Sequence, residues 1–191
     1  MSNQFTEDQA FDKINFREQR QGPYYFENCT FNSCEFSSIN LSQSQFIDCS
    51  FNNCNFSLAQ VENTSFQNAV FQQCKMLGIR FDSCNTFGLS FTFDNCQLDH
   101  SSFYKLKLRK TLFTDTQLKE VDFSECELSE SVFENCNLEN TVFNRSILNK
   151  VDFRTAFNYR IDAENNKIKK AKFSMEGLPG LLRKYDILIE R

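Results

Sequence analysis

From Phe11 to Phe173 nearly every fifth residue is large and apolar. A first series runs through Phe11, Phe16, Phe26, Phe31, Phe36, Leu41, Phe46, Phe51, Phe56, Val61, Phe66, Phe71, Met76, Phe81 and Phe91. It is interrupted at Gln21, beside Gly22-Pro23, and weakened at Thr86. A second series starts at Phe93 and alternates Phe with Leu as far as Phe153. It then passes through Asn158, Ala163 and Ile168 to Phe173. A period of five is neither the 3.6 of a helix nor the 2 of a strand. It marks an internal repeat, which constrains the fold more than any local propensity. The two series are out of register by two residues, and the slip falls near 85–93, where Gly88 tolerates unusual backbone angles. Two residues are too few for a linker. One continuous body is expected, with a turn or bulge at Gln21-Gly22-Pro23 and another at the slip.

A second position repeats with the first. Two residues before each central residue stands a small or β-branched side chain, as at Cys34, Ser44, Ala59, Thr64, Ser101, Val121 and Thr141. All nine cysteines occupy this slot. That placement makes them small, buried, weakly polar packing residues and leaves little case for a metal or redox site. Rung spacing alone leaves a disulfide within one column open, although cytoplasmic thiols stay reduced.

The units Cys-Thr-Phe-Asn-Ser (29–33), Cys-Asn-Phe-Ser-Leu (54–58) and Cys-Asn-Leu-Glu-Asn (136–140) resemble the pentapeptide-repeat family over roughly residues 11–173. The resemblance implies an all-β fold, a right-handed quadrilateral β-helix with four pentapeptides, or 20 residues, per coil. The sequence offers its own check on 20. Only a four-sided coil stacks Phe103 on Phe123 and Phe143, and Leu108 on Leu128 and Leu148. The same spacing aligns Lys105, Glu125 and Arg145 in one column and Lys110, Glu130 and Lys150 in another, with Lys107 facing Glu127. About eight coils are expected, stacked at about 4.8 Å into a rod of about 39 Å. Residues 1–10 read as a lead-in, 11–173 as the solenoid and 174–191 as a C-terminal cap. Within the cap, 181–185 read as a helical turn and 187–189 as an apolar strand. A solenoid end exposes core and backbone and needs such a cap. Some members of the family dimerise through a C-terminal helix and strand. By that resemblance Leu181, Leu182, Tyr185, Ile187, Leu188 and Ile189 are candidate contacts of a two-fold homodimer.

Catalysis finds no support. His100 is the only histidine and lies on an outward position. Neighbours such as Asp99 and Ser101 cannot aim at it as a triad requires, and no phosphate loop or dinucleotide fingerprint is present. No cofactor is expected. The net charge of -4 argues against direct nucleic-acid binding through a basic field. No apolar run reaches the roughly 20 residues of a membrane span. The N-terminal residues lack the pattern of a signal peptide, so a cytoplasmic location is expected. The functional hint lies in the acids. Eight fall between Asp115 and Glu139 against one cation, Lys119. Glu125, Glu127 and Glu130 have cations one coil away. Asp115, Glu120, Glu134 and Glu139 lack evident partners and form the candidate recognition surface. Resemblance to quinolone-resistance members, which imitate DNA and bind DNA gyrase or topoisomerase IV, implies a non-enzymatic DNA mimic. A scaffold for another protein partner is the alternative reading. Asn137, one residue before Leu138, is expected to face solvent.

Overall fold

The computed structural model describes residues 5–19 and 22–190. Its strands are three or four residues long: β1 Phe5–Glu7, β2 Ala10–Asp12, β3 Tyr25–Glu27, β4 Thr30–Asn32, β5 Gln45–Ile47, β6 Ser50–Asn52, β7 Ser65–Gln67, β8 Ala69–Gln72, β9 Phe91–Asp94, β10 Leu112–Thr114 and β11 Val132–Glu134. All pair in parallel, each residue with the one a coil away: Phe11 with Phe31, Phe31 with Phe51, Phe51 with Phe71. One side of the coil is a seven-stranded sheet in the order β11-β10-β9-β8-β6-β4-β2, and the side before it a four-stranded sheet β1-β3-β5-β7. The other two sides are built from single bridges such as Asn55↔Lys75 and Ser102↔Asp122. This is the four-sided, 20-residue β-solenoid expected. Its regular ladder is shorter than eight coils, because seven strands make six coil-to-coil pairings. Above β11 the stack continues only through isolated bridges, Val132↔Asp152 and Asp152↔Lys172.

Inward pleating of the central residues builds the core. Phe31, Phe51, Phe71, Phe93, Phe113 and Phe133 are fully buried. Within a column the rings lie nearly parallel, as for Phe113 and Phe133 at 4.8 Å and 3°. Neighbouring columns meet edge to face, as for Phe51 and Phe56 at 5.1 Å and 85°. The backbone repeat and the ring separation are the same length, so one residue type satisfies both.

The small slot has a hydrogen-bonding role that packing alone does not predict. Where a corner follows a strand, the carbonyl of the central residue turns inward and has no turn partner. A cysteine one coil later donates to it: Cys54 Sγ to Phe31 O at 3.3 Å, Cys74 to Phe51 at 3.3 Å, Cys96 to Phe71 at 3.4 Å and Cys136 to Phe113 at 3.4 Å. Ser131, Ser146 and Thr64 donate likewise to Leu108, Phe123 and Leu41 outside the strands, where Phe123 O and Leu41 O also accept the turn N–H of Cys126 and Ser44. A buried carbonyl has two lone pairs and the ladder satisfies one of them, so the slot favours a side chain that is small yet can donate.

With few glycines the chain turns its corners on ordinary residues. Positive φ recurs two residues after the central one, from Asn53 (54°) through Leu58 (60°) to Lys105 (61°) and Glu130 (66°). Asn and Asp tolerate this conformation, while other L-residues carry a cost of roughly 1–2 kcal/mol.

The structure departs from the expectations in several places. Residues 5–10 are not a separate lead-in, because β1 and β2 pair with β3 and β4 as a coil of the solenoid. Gln21 lies outside the described residues, so the turn expected at Gln21-Gly22-Pro23 is not fully visible. The slip is absorbed at 85–90. Asn85 N still bonds back to Thr64 O, yet Ala69 pairs with Phe91, two residues farther on than the repeat requires. Thr86 is exposed there and half-buried Leu89 packs against the core. A further irregularity lies at 157–166, where Asn158 and Ala163 are exposed while Tyr159 and Ile161 enter the core. Tyr159 and Ile161 bring large apolar surface into the closing end, which neither Asn nor Ala supplies. The cap is a single turn, α1 Pro179–Leu182, continued by a 3-10 turn at Arg183–Tyr185, and 187–189 has no ladder partner and forms no strand.

Candidate recognition surface

Two consecutive corners carry the four candidate acids. Asp115 is at the first, one coil below Glu134 on β11, and its N–H donates to Glu134 O at 2.9 Å. Glu120 is at the second, and its N–H donates to Glu139 O at 2.9 Å. The solenoid thus brings the acids together as two pairs, divided by the side that carries Leu118 and Leu138. Their electrostatics differ. Lys119 Nζ is 3.2 Å from Glu139, and His100 Nδ1 is 3.2 Å from Glu120. Both acids therefore have the neighbours that the sequence reading did not find. At the first corner Asp115 accepts from the Asn135 amide at 3.1 Å, and Asp94 on β9 accepts from Gln72 at 2.9 Å. Asp94, Asp115 and Glu134 have no ion pair among the described residues. Sequence reasoning missed Asp94. It lies outside the 115–139 run, although its position 20 residues before Thr114 was a usable signal.

Of the other acids in this stretch, Glu125, Glu127 and Glu130 are interleaved with cations. Glu125 lies between Lys105 at 3.6 Å and Arg145 at 2.8 Å, and Glu130 between Lys110 at 3.9 Å and Lys150 at 2.9 Å, as the columns predict. The Lys150 ammonium holds the Glu130 carboxyl below its usual value. Glu127 bridges to Lys107 through the backbone only, and its carboxylate pairs with Arg109 at 3.3 Å. Lys107 has no ion pair among the described residues, because the bridge aligns main chains, not charged tips. Arg154 grips Asp152 through two nitrogens and holds that carboxyl down at about 2.

Asn137 is not on a free solvent face. It is buried, donates to Gln117 at 3.1 Å and accepts from Asn158 at 2.9 Å. His100 is exposed at a corner, whereas Ser101 is buried and its hydroxyl donates to Met76 O at 3.0 Å. The two side chains point to opposite sides of the wall. All nine thiols are free and buried, and burial pushes Cys34 up to about 11 and Cys49, Cys126 and Cys136 up to about 12. Among the described residues no three His, Cys, Asp or Glu side chains cluster as metal ligands. No helix among them is long and apolar enough to cross a membrane.

At the C-terminal end Gly177 and Gly180 lie so close over Tyr159 that a Cβ on either would collide with it. Lys184 bonds Asp162 and Glu164, each at 2.6 Å, and fastens the cap to the last coil. Of the candidate dimer contacts, Leu181 is half-buried against the core. Leu182, Tyr185, Ile187 and Ile189 are exposed, and Leu188 is 95% exposed. Leu182, Ile187 and Ile189 line a cavity of about 600 Å³ with Phe157 and Tyr159.

Residues 24–92 and 89–159 each match the profile of the family described as "Pentapeptide repeat region". The chain belongs to the pentapeptide-repeat family. No curated protein matches this pentapeptide-repeat protein. Among solved structures it is similar to QnrB1, a plasmid-mediated fluoroquinolone resistance protein. A trypsin-treated variant of QnrB1 matches at a TM-score of 0.62 and 17% identity, over all of both chains. The full-length form matches at 0.52 and 18% identity, over 96% of this pentapeptide-repeat protein and all of QnrB1. At such identity the likeness is one of fold.

Proposed function

We propose that this protein is a non-enzymatic binding rod that engages a type II topoisomerase, DNA gyrase or topoisomerase IV, as a DNA mimic. The observation that carries this reading is the likeness of fold to QnrB1 over the full length of both chains. The corner formed by Asp94, Asp115 and Glu134 supports it, since these carboxylates keep their charge uncompensated along three coils. Stacked coils space them by roughly 5 Å. Glu139 contributes less net field, because the Lys119 ammonium lies 3.2 Å from it. The exposed apolar tail joins two copies C-end to C-end about a two-fold axis, doubling the length of the rod. The protein works in the cytoplasm, where gyrase is found.

The test is a gyrase supercoiling assay with and without a fluoroquinolone. Micromolar protein is expected to alter supercoiling or relieve drug inhibition, and the D94N/D115N/E134Q variant to lose at least tenfold in potency. No effect on either reaction, with no measurable binding to gyrase or topoisomerase IV, sinks the reading. The second reading, a scaffold for another protein, is favoured by the cations interleaved among the other acids, which break the field a DNA mimic needs. Capture of one abundant non-topoisomerase partner, lost in the same variant, would support it.

A further inference from the structure

The net charge of the chain hides a segregation that only the coil reveals. One side carries Leu108, Leu128, Leu148 and Ile168 inward, and its outer surface is strongly basic. The bridges Lys107↔Glu127 and Ile147↔Lys167 align its outer residues. Lys110, Glu130, Lys150 and Lys170 turn its corner at positive φ. Arg109 and Lys169 complete the surface, so seven cations face two carboxylates, Glu127 and Glu130. Those two are already paired, with Arg109, Lys110 and Lys150. Lys107, Lys167, Lys169 and Lys170 are exposed and have no ion pair among the described residues. A shallow depression of about 390 Å³ lies among these side chains, lined by Arg109 and Lys150 with their partners Glu127 and Glu130, and by Lys167, Ser129, Ile147 and Asn149.

We propose that this patch binds the phosphate backbone of duplex nucleic acid. Lysines on successive coils lie about 4.8 Å apart along the rod, and those at alternate positions of one coil about 6.5 Å apart across it. Such a grid meets three or four phosphates of one strand without reading sequence. The other half of the same side favours a duplex over a membrane. β1, β3 and β5 with their corners present Glu7, Asp8, Glu27 and Asp48 there and no cation. A rod lying flat on an anionic bilayer would press these acids against it, whereas a duplex crossing the rod touches only the basic half. The patch stands apart from the topoisomerase reading, and its test contains no topoisomerase.

The experiment is fluorescence anisotropy of a labelled 20-base-pair duplex with the full chain at 50 mM NaCl. Binding is expected to weaken about 20-fold between 50 and 150 mM salt, the slope for roughly three phosphate contacts. K167E/K169E/K170E should lose at least tenfold, with its circular dichroism and melting unchanged. K13E/K75E/R80E makes the same change in net charge on other sides and should bind like wild type. No binding at 50 mM, no salt dependence, or equal losses in the two variants overturns the proposal. Binding to vesicles containing phosphatidylserine but not to the duplex overturns it in favour of a lipid surface.

Discussion

Phe123 is fully buried, stacked 5.0 Å from Phe103 and 5.5 Å from Phe143, and edge-on to Phe113 and Phe133. Its ring is held on four sides, so the space left by truncation cannot collapse. Phe123→Ala is expected to cost about 3–5 kcal/mol in urea unfolding. Gln60→Ala, on an exposed outer position with no side-chain hydrogen bond among the described residues, should stay within about 0.5 kcal/mol. Equal costs would refute the inward assignment. Asn137, legible from the repeat as an outward residue, is the wrong control. Phe157 bridges above it and the Asn158 amide bonds it from the next coil. The repeat gives the direction in which a side chain points, but not what the neighbouring coil lays over it.

The element of this fold is the corner. Strand corners leave an inward carbonyl, and the cysteine slot one coil on supplies its donor. Cys54 makes that bond to Phe31 O and sits next to Cys34 N at 3.4 Å. Cys54→Ala should therefore cost about 0.5–1.5 kcal/mol by removing one of two bonds to a buried carbonyl that keeps its ladder bond from Asn52 N. Cys54→Ser, which keeps a donor of similar size, should cost less than half as much in the same measurement. Similar losses would show that sulfur packing, not hydrogen bonding, selects cysteine here. The slot itself was legible, since all nine cysteines fall in it. Its hydrogen bond was not, because the acceptor lies 23 residues away, on the coil before.

For the whole molecule the decisive surfaces are the two charged sides and the apolar end. Lys184 clamps the cap through Asp162 and Glu164, which leaves Leu188 free to meet a second copy. Light scattering of the full chain should give a dimer, and Leu188→Glu a monomer that melts at the same temperature. A Leu188→Glu protein that stays dimeric, or deletion of 181–191 without change of mass, would remove the tail from the interface.

By itself the sequence determined the five-residue register, the four sides, the 20-residue coil, the burial of the cysteines and most of the charge columns. These follow from periodicity, and in a solenoid periodicity is geometry, because each residue meets only those one coil away. The tertiary structure alone decided three things. It drew residues 5–10 into the ladder, replaced Asn158 and Ala163 by Tyr159 and Ile161 at the closing end, and sorted charges that nearly cancel in the chain into an acidic corner and a basic side. Side-chain tips choose partners by reach and angle, as Glu127 does in taking Arg109 over Lys107. No spacing rule carries that information.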